Sequence, residues 1–181
     1  MDRCKVIAPR RFEDERGFFC ETWNKKFLLA EGIDSEFVQD NLSMSREIGT
    51  VRGLHCQRPP QAQAKLIRCA RGRLFDVAVD VRKGSPDFGR WVAEELSFEN
   101  GRQLFIPAGF LHGFITLEPN TEIMYKCSDF YAPDSDISVR FDDPDIAIDW
   151  PINTQNAIFS SKDAVAVSWA EFDSPFIYEG G

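Results

Sequence analysis

The sequence predicts an all-β protein, a double-sheet jelly roll with a few short peripheral helices. Strand-like runs are short and are broken by turn residues about every eight to twelve positions. From Arg73 to Val81, Phe75, Val77, Val79 and Val81 alternate with Asp76, Ala78 and Asp80, a clear period of two. Crossover helices of the kind that join parallel strands are missing, which argues against an α/β sheet.

The elements follow in order. Cys4 to Ala8 reads as a strand, and Asp14-Glu15-Arg16-Gly17 as a polar turn. Gly17 to Trp23 is aromatic-rich and strand-like. Asn24 is the N-cap of the one convincing helix, with Phe27, Leu28 and Leu29 as its apolar part and Gly32 as its stop. Glu36 to Met44 and Thr50 to Gln57 are strands, the second followed by a Pro-Pro loop. Lys65 to Ala70 and Arg73 to Val81 are expected to pair around Arg71-Gly72, and Arg82 to Phe88 is a loop. Arg90 to Phe98 ends at Asn100-Gly101, a strong hairpin signal. Gln103 to Ile106, His112 to Leu117 and Thr121 to Phe130 continue the series, and Ser138 to Phe141 is a further short strand. The last forty residues lack a period and are expected to wrap the core. Residues 1–181 form a single domain, since 181 residues suffice for one well-packed core and are few for two.

Net charge is −8, which argues against a broad nucleic-acid surface. No apolar run approaches the roughly 20 residues of a membrane helix. Charges occupy the place where a signal peptide would carry its apolar region. The five cysteines are odd in number and never spaced C-x-x-C, which fits reduced thiols in a cytoplasmic protein.

Within this acidic chain, Arg52, Arg58, Lys65, Arg68, Arg71 and Arg73 gather around His55, one of only two histidines. The other, His112, closes Pro107-x-Gly109-x-x-His112. Gly101, five residues, this run, and then Thr116 resemble the second cupin motif. The first cupin motif is matched at Gly49 and His55 only. Gln57 replaces its second histidine, and Pro60-Gln61-Ala62-Gln63 stands where its glutamate belongs. A cupin metal site takes three histidines and a glutamate, so this chain is expected to hold no metal. The histidines are then free for proton chemistry.

Further blocks sharpen the resemblance. They are Asp14-Glu15-Arg16-Gly17-Phe18-Phe19, Phe37-Val38-Gln39-Asp40-Asn41, Arg52-Gly53-Leu54-His55-x-Gln57, Gln63-Ala64-Lys65-Leu66, Asp76 to Arg82, Pro107 to Phe114, Tyr125-Lys126 and Ser161-Lys162-Asp163. In this order they resemble the dTDP-4-dehydrorhamnose 3,5-epimerase family of cofactor-free, cupin-like sugar-nucleotide epimerases. The resemblance implies inversion of C3 and C5 of a dTDP-linked 4-keto-6-deoxy sugar, in dTDP-rhamnose biosynthesis, with no cofactor. It implies His55 as base, Asp163 as its carboxylate partner, Lys65 near the 4-keto oxygen and Tyr125 as proton donor. Arg16, Phe19, Glu21, Gln39, Asn41, Arg52 and Lys162 match nucleotide- and diphosphate-holding positions, and His112 a pocket position near the keto group. A homodimer, with an N-terminal strand crossing to the partner's sheet, is also implied. The chain departs from the family pattern at Cys56, Asp136 and Phe141. Alternatives are a C3-only epimerase, a 3,4-ketoisomerase, a metal cupin oxidoreductase and a non-enzymatic sugar-binding jelly roll.

The chemistry suits these side chains. Removing a proton beside a carbonyl needs a base at the carbon, a positive group at the oxygen, and an acid on the far face for inversion. Strand parity puts Val51, Gly53 and His55 on one face, and likewise Lys65, Ile67 and Cys69, and Ile123, Tyr125 and Cys127. Arg52 falls on the face opposite His55 unless Gly53 marks a bulge.

Overall fold

The computed structural model describes residues 4–180. Its strands are β1 (Lys5–Ile7), β2 (Arg11–Asp14), β3 (Gly17–Cys20), β4 (Gln39–Ser45), β5 (Val51–Gln57), β6 (Lys65–Arg71) and β7 (Arg73–Asp80). They continue with β8 (Arg82–Lys83), β9 (Trp91–Ser97), β10 (Gln103–Ile106), β11 (Phe110–Thr116), β12 (Thr121–Cys127), β13 (Asp136–Ser138) and β14 (Phe176–Ile177). Two five-stranded sheets result, in the orders β1-β10-β6-β12-β4 and β13-β5-β11-β7-β9, and all their pairings are antiparallel. This is the double-sheet jelly roll that the sequence predicts.

The expected hairpins are corrected. Strands β6 and β7 do not pair around Arg71-Gly72, because β6 joins the first sheet and β7 the second. Asn100-Gly101 likewise carries the chain from β9 in one sheet to β10 in the other. The turn chemistry is real: Gly72 has φ 74° and Gly101 φ 62°. It serves corners between layers, because the strands on either side of each of these two turns lie in different sheets.

Between the sheets, Ile67, Cys69, Leu104, Ile106 and Ile123 meet Leu74, Ala78, Leu96, Phe110 and Phe114. On the outer face of the second sheet, Val77, Val79, Leu111, Ile115, Leu54 and Cys56 form a second core. The C-terminal segment covers it with Phe141, Ile146 and Phe176, supported by Trp150, Trp169 and Phe172. Each large apolar side chain so buried contributes about 1.5–3 kcal/mol. The alternation in β7 therefore reads opposite to a simple sandwich: its valines face the C-terminal cover, and Asp76 and Ala78 face the space between the sheets.

Helix α1 (Lys25–Ala30) is capped as expected. The Asn24 side chain accepts from the backbone N–H of Lys26 and Phe27. Leu28 buries against Ile7, Ile33, Leu66 and Phe105 on the outer face of the first sheet. Strands β2 and β3 form a ribbon that belongs to neither large sheet.

One irregularity positions the site. Against β11, His55 lies opposite His112 and Arg52 opposite Phe114. Three steps along β5 thus match two along β11, a bulge at Gly53. Gly53 has φ 120°, and a Cβ there would lie 2.5 Å from Gly113 Cα. The extra residue moves Arg52 to the face of His55 and leaves Val51 in the outer core. We predict that Gly53→Ala destabilises the protein by about 3 kcal/mol through backbone strain and the clash. That corresponds to roughly 6–12 °C in thermal unfolding. An unchanged unfolding temperature would contradict the tight bulge.

Candidate active site

A cavity of about 390 Å³ opens between the sheets and is lined by His55 and Arg52 from β5, Lys65 from β6, His112 and Phe114 from β11, Tyr125 from β12, and Asp163. A second cavity of about 370 Å³ shares His55, Lys65 and Tyr125 and adds Gln39 and Asn41 from β4 with Tyr131. The two lobes meet at His55, Lys65 and Tyr125.

Asp163 arrives on α2 (Ser161–Ala164), a single turn whose other residues are exposed. Its Oδ1 lies 2.5 Å from His55 Nε2. A carboxylate only accepts, so Nε2 carries the proton and Nδ1 keeps the lone pair. Burial acts to raise the Asp163 pKa, but hydrogen bonds from His55 and Ser160 outweigh it and hold the carboxyl below the usual range.

His112 makes a second pair of the same kind. Its Nε2 lies 2.7 Å from Oδ1 of Asp76, a fully buried residue. Burial pushes the His112 pKa down against the pull of Asp76, so this imidazole is neutral at pH 7. The other oxygen of Asp76 has no hydrogen-bond partner among the described residues.

Tyr125 is half-buried, and burial raises its pKa, which keeps the phenol protonated. Lys65 has no hydrogen bond or ion pair among the described residues, so its ammonium is uncommitted. Arg52 reaches across to β4, where Nε meets Ser45 Oγ at 3.3 Å and a terminal nitrogen meets the Met44 carbonyl at 3.2 Å.

Gln57, at the position of a missing metal ligand, is committed elsewhere. Its amide nitrogen donates to the carbonyls of Gln61 (2.7 Å) and Phe130 (3.1 Å), and its oxygen accepts from Ala132 N–H (2.8 Å). It anchors the loop that carries Tyr131.

Of the residues singled out in the sequence, His55, Lys65, Tyr125, Asp163, His112 and Arg52 share one cavity, and Gln39 and Asn41 line the adjoining lobe. Arg16, Phe19 and Glu21 line neither. Arg16 pairs with Asp14 on the β2–β3 ribbon, Phe19 is 66% exposed, and Glu21 meets Asn24. Lys162 turns outward and pairs with Asp136. Cys56 and Phe141 both pack in the outer core, and Phe141 also accepts a hydrogen bond from the Trp150 indole at 3.0 Å.

Asp76 and Ser160 were missed. The first could be read as the polar face of the alternating β7 run. The second carries the Ser-x-x-Asp spacing of a helix cap, overlooked because the turn it starts has no apolar period.

The model of the dTDP-4-dehydrorhamnose 3,5-epimerase family matches residues 1–171. A dTDP-4-dehydrorhamnose 3,5-epimerase of Sinorhizobium fredii is 51% identical over 174 residues, covering 96% of this chain and 89% of that protein. The crystal structure of the Legionella pneumophila dTDP-6-deoxy-D-glucose-3,5-epimerase in complex with dTDP-4-keto-L-rhamnose is similar at TM-score 0.93 and 45% identity. It covers 99% of this chain and 96% of its own. The Bacillus anthracis dTDP-4-dehydrorhamnose 3,5-epimerase with TDP and PPi bound is similar at TM-score 0.88 and 48% identity, over 91% and 93% of the two chains.

The depressed Asp163 pKa gives a signed expectation. A carboxyl whose folded pKa lies below its unfolded value stabilises the fold fully above the unfolded pKa, and that contribution is lost as pH falls through the folded one. The stability gap between wild type and Asp163→Asn should therefore be widest at neutral pH and close only on the acid side of the ordinary aspartate range. Urea unfolding across pH measures this, and a gap that does not change with pH would contradict it.

Proposed function

The chain belongs to the dTDP-4-dehydrorhamnose 3,5-epimerase family, isomerases that invert C3 and C5 of a dTDP-linked 4-keto-6-deoxy sugar, and we propose that His55, Asp163, Lys65 and Tyr125 carry that chemistry here. The observation that supports this reading most is the His55–Asp163 contact at 2.5 Å, in a cavity that Tyr125 enters from the opposite sheet.

The protons at C3 and C5 are acidic because the 4-keto group takes up the charge as an enolate. His55 Nδ1 removes the proton. Asp163 fixes the tautomer and stabilises the imidazolium that forms. Lys65, uncommitted in the cavity, meets the developing enolate oxygen, and a well-placed charge of this kind is worth about 10²-fold or more in rate. Tyr125, kept as a phenol by burial, returns a proton on the far face. Neutral His112, locked to Asp76, offers a polar edge to the keto group without adding charge. Arg52, Gln39 and Asn41 lie where the dTDP portion enters.

A homodimer accounts for Arg16, Phe19 and Glu21. The ribbon exposes Phe12, Phe18 and Phe19, and Val38 with Leu42 and Met44 on the outer face of β4 are exposed as well. Covering both with a second copy buries apolar surface and carries the three ribbon residues toward the partner's cavity. The unpaired cysteines support a reducing, cytoplasmic setting; a disulfide in protein taken from cells would argue against it. No helix among the described residues is long and apolar enough to cross a membrane.

Two experiments test the reading. The first follows deuterium uptake at C3 and C5 from heavy water. His55→Ala should abolish uptake at both carbons with dTDP binding retained. Lys65→Met should lower turnover about 10²-fold with little change in affinity. Tyr125→Phe should keep some uptake, because the imidazolium exchanges with water and reprotonates the same face, but lose most inverted product. Uptake at C3 alone in wild type would point to the C3-only epimerase, and full inversion by Tyr125→Phe would assign the donor elsewhere. The second is sedimentation: wild type should run as a dimer and Leu42→Glu as a monomer. A monomeric wild type would sink the dimer.

A further inference from the structure

We propose that Ser160 is a positioning residue for epimerisation, its hydroxyl fixing the Asp163 carboxylate that in turn holds the His55 imidazole. This rests on the reading of His55 as the base.

The two oxygens of Asp163 have separate partners. Oδ1 takes the His55 proton, and Oδ2 accepts from Ser160 Oγ at 2.8 Å and from Ser160 N–H at 3.3 Å. The Ser160 hydroxyl also accepts from Asp163 N–H at 3.2 Å. Ser160 and Asp163 thus form a closed capping box, and the same carboxylate faces the base.

Nothing else in α2 can hold that carboxylate. One turn of helix has no stability of its own, and Ser161, Lys162 and Ala164 are all exposed. The chain leading into it is fixed up to Phe159. Ile158 exchanges backbone hydrogen bonds with Gly49 and Val51 at the start of β5, and Phe159 packs on Phe141 with ring centres 5.5 Å apart. Ser160 is therefore the joint between an anchored segment and a freestanding turn. A carboxylate bound through one oxygen can swing about its last torsion. Binding the second oxygen converts it into a fixed acceptor, and proton transfer is sensitive to angular error in the base. His112, Lys65, Tyr125 and Arg52 face the same cavity from their own strands, and Lys162 is tied to Asp136. Among the described residues, only His55 and Ser160 hydrogen-bond to the Asp163 side chain.

The test uses proton NMR and kinetics on Ser160→Ala and on Ser160→Gly, which removes the hydroxyl while keeping a tolerable helix cap. An imidazole proton held against a carboxylate gives a downfield, slowly exchanging resonance. With two histidines in the chain there are two such protons, and the His112–Asp76 pair, which shares no hydrogen bond with Ser160, is an internal reference. Both variants should broaden or lose the His55 resonance, keep that of His112, and lower kcat about tenfold with KM within about twofold. Ser160→Thr should restore both readouts. In an Asp163→Asn background, removing Ser160 should cost nothing further.

An intact His55 resonance with unchanged kcat overturns the proposal. So does loss of both resonances, which would mean a general loosening of the fold, and so does a rise in KM with kcat held, which would make Ser160 a substrate contact. Deuterium uptake retained in His55→Ala would instead overturn the base assignment. That failure is told apart by a His55 resonance that still responds to Ser160.

Discussion

The site depends on one extra residue in β5. Without the bulge at Gly53, strict alternation would turn either Arg52 or His55 away from the cavity. With it, both face inward, and His55 lies opposite His112 on β11. The bulge is possible because Gly53 has no side chain where β5 and β11 approach too closely for one. The same crowding that requires glycine sets the two histidines side by side.

A space between sheets that holds two histidines, two aspartates and a lysine is a poor hydrophobic core. Burying charge there is unfavourable unless each group is paired. Asp163 meets that condition through both oxygens, Asp76 through only one, with His112, and Lys65 is left partly exposed and uncommitted. The apolar burial lost at the site is offset elsewhere. The second sheet packs its other face under the C-terminal cover, and the far end of the inter-sheet space is filled by Ile67, Leu96, Ile106 and Ile123. The unpatterned C-terminal segment thus has two tasks. It seals the outer face of the second sheet, and it delivers Asp163 to the base from outside the sheets.

Asp163 joins local and catalytic structure. Its oxygens divide between a helix cap and an imidazole, so a single turn of helix serves both the fold and the site. Gln57 shows the same economy: a position where metal cupins place a ligand instead pins the loop bearing Tyr131 at the second lobe.

The strands, the N-capped helix and the jelly-roll class were legible because they rest on local signals: period-two alternation, an Asn cap, and turn residues at the corners. His55, Lys65 and Tyr125 were legible through ordered blocks of residue types, and the parity of β6 and β12 survives because neither is interrupted near its functional residue. Which strands pair was not legible. The Arg71-Gly72 and Asn100-Gly101 turns have the same chemistry whether they close a hairpin or cross between sheets, and only packing of both layers decides. The partners of the functional groups were equally hidden. Asp76 meets His112 across a strand pairing 36 residues apart in sequence, and Asp163 meets His55 across 108. Local sequence specifies backbone conformation; distant partners are chosen by which faces the folded sheets turn toward each other.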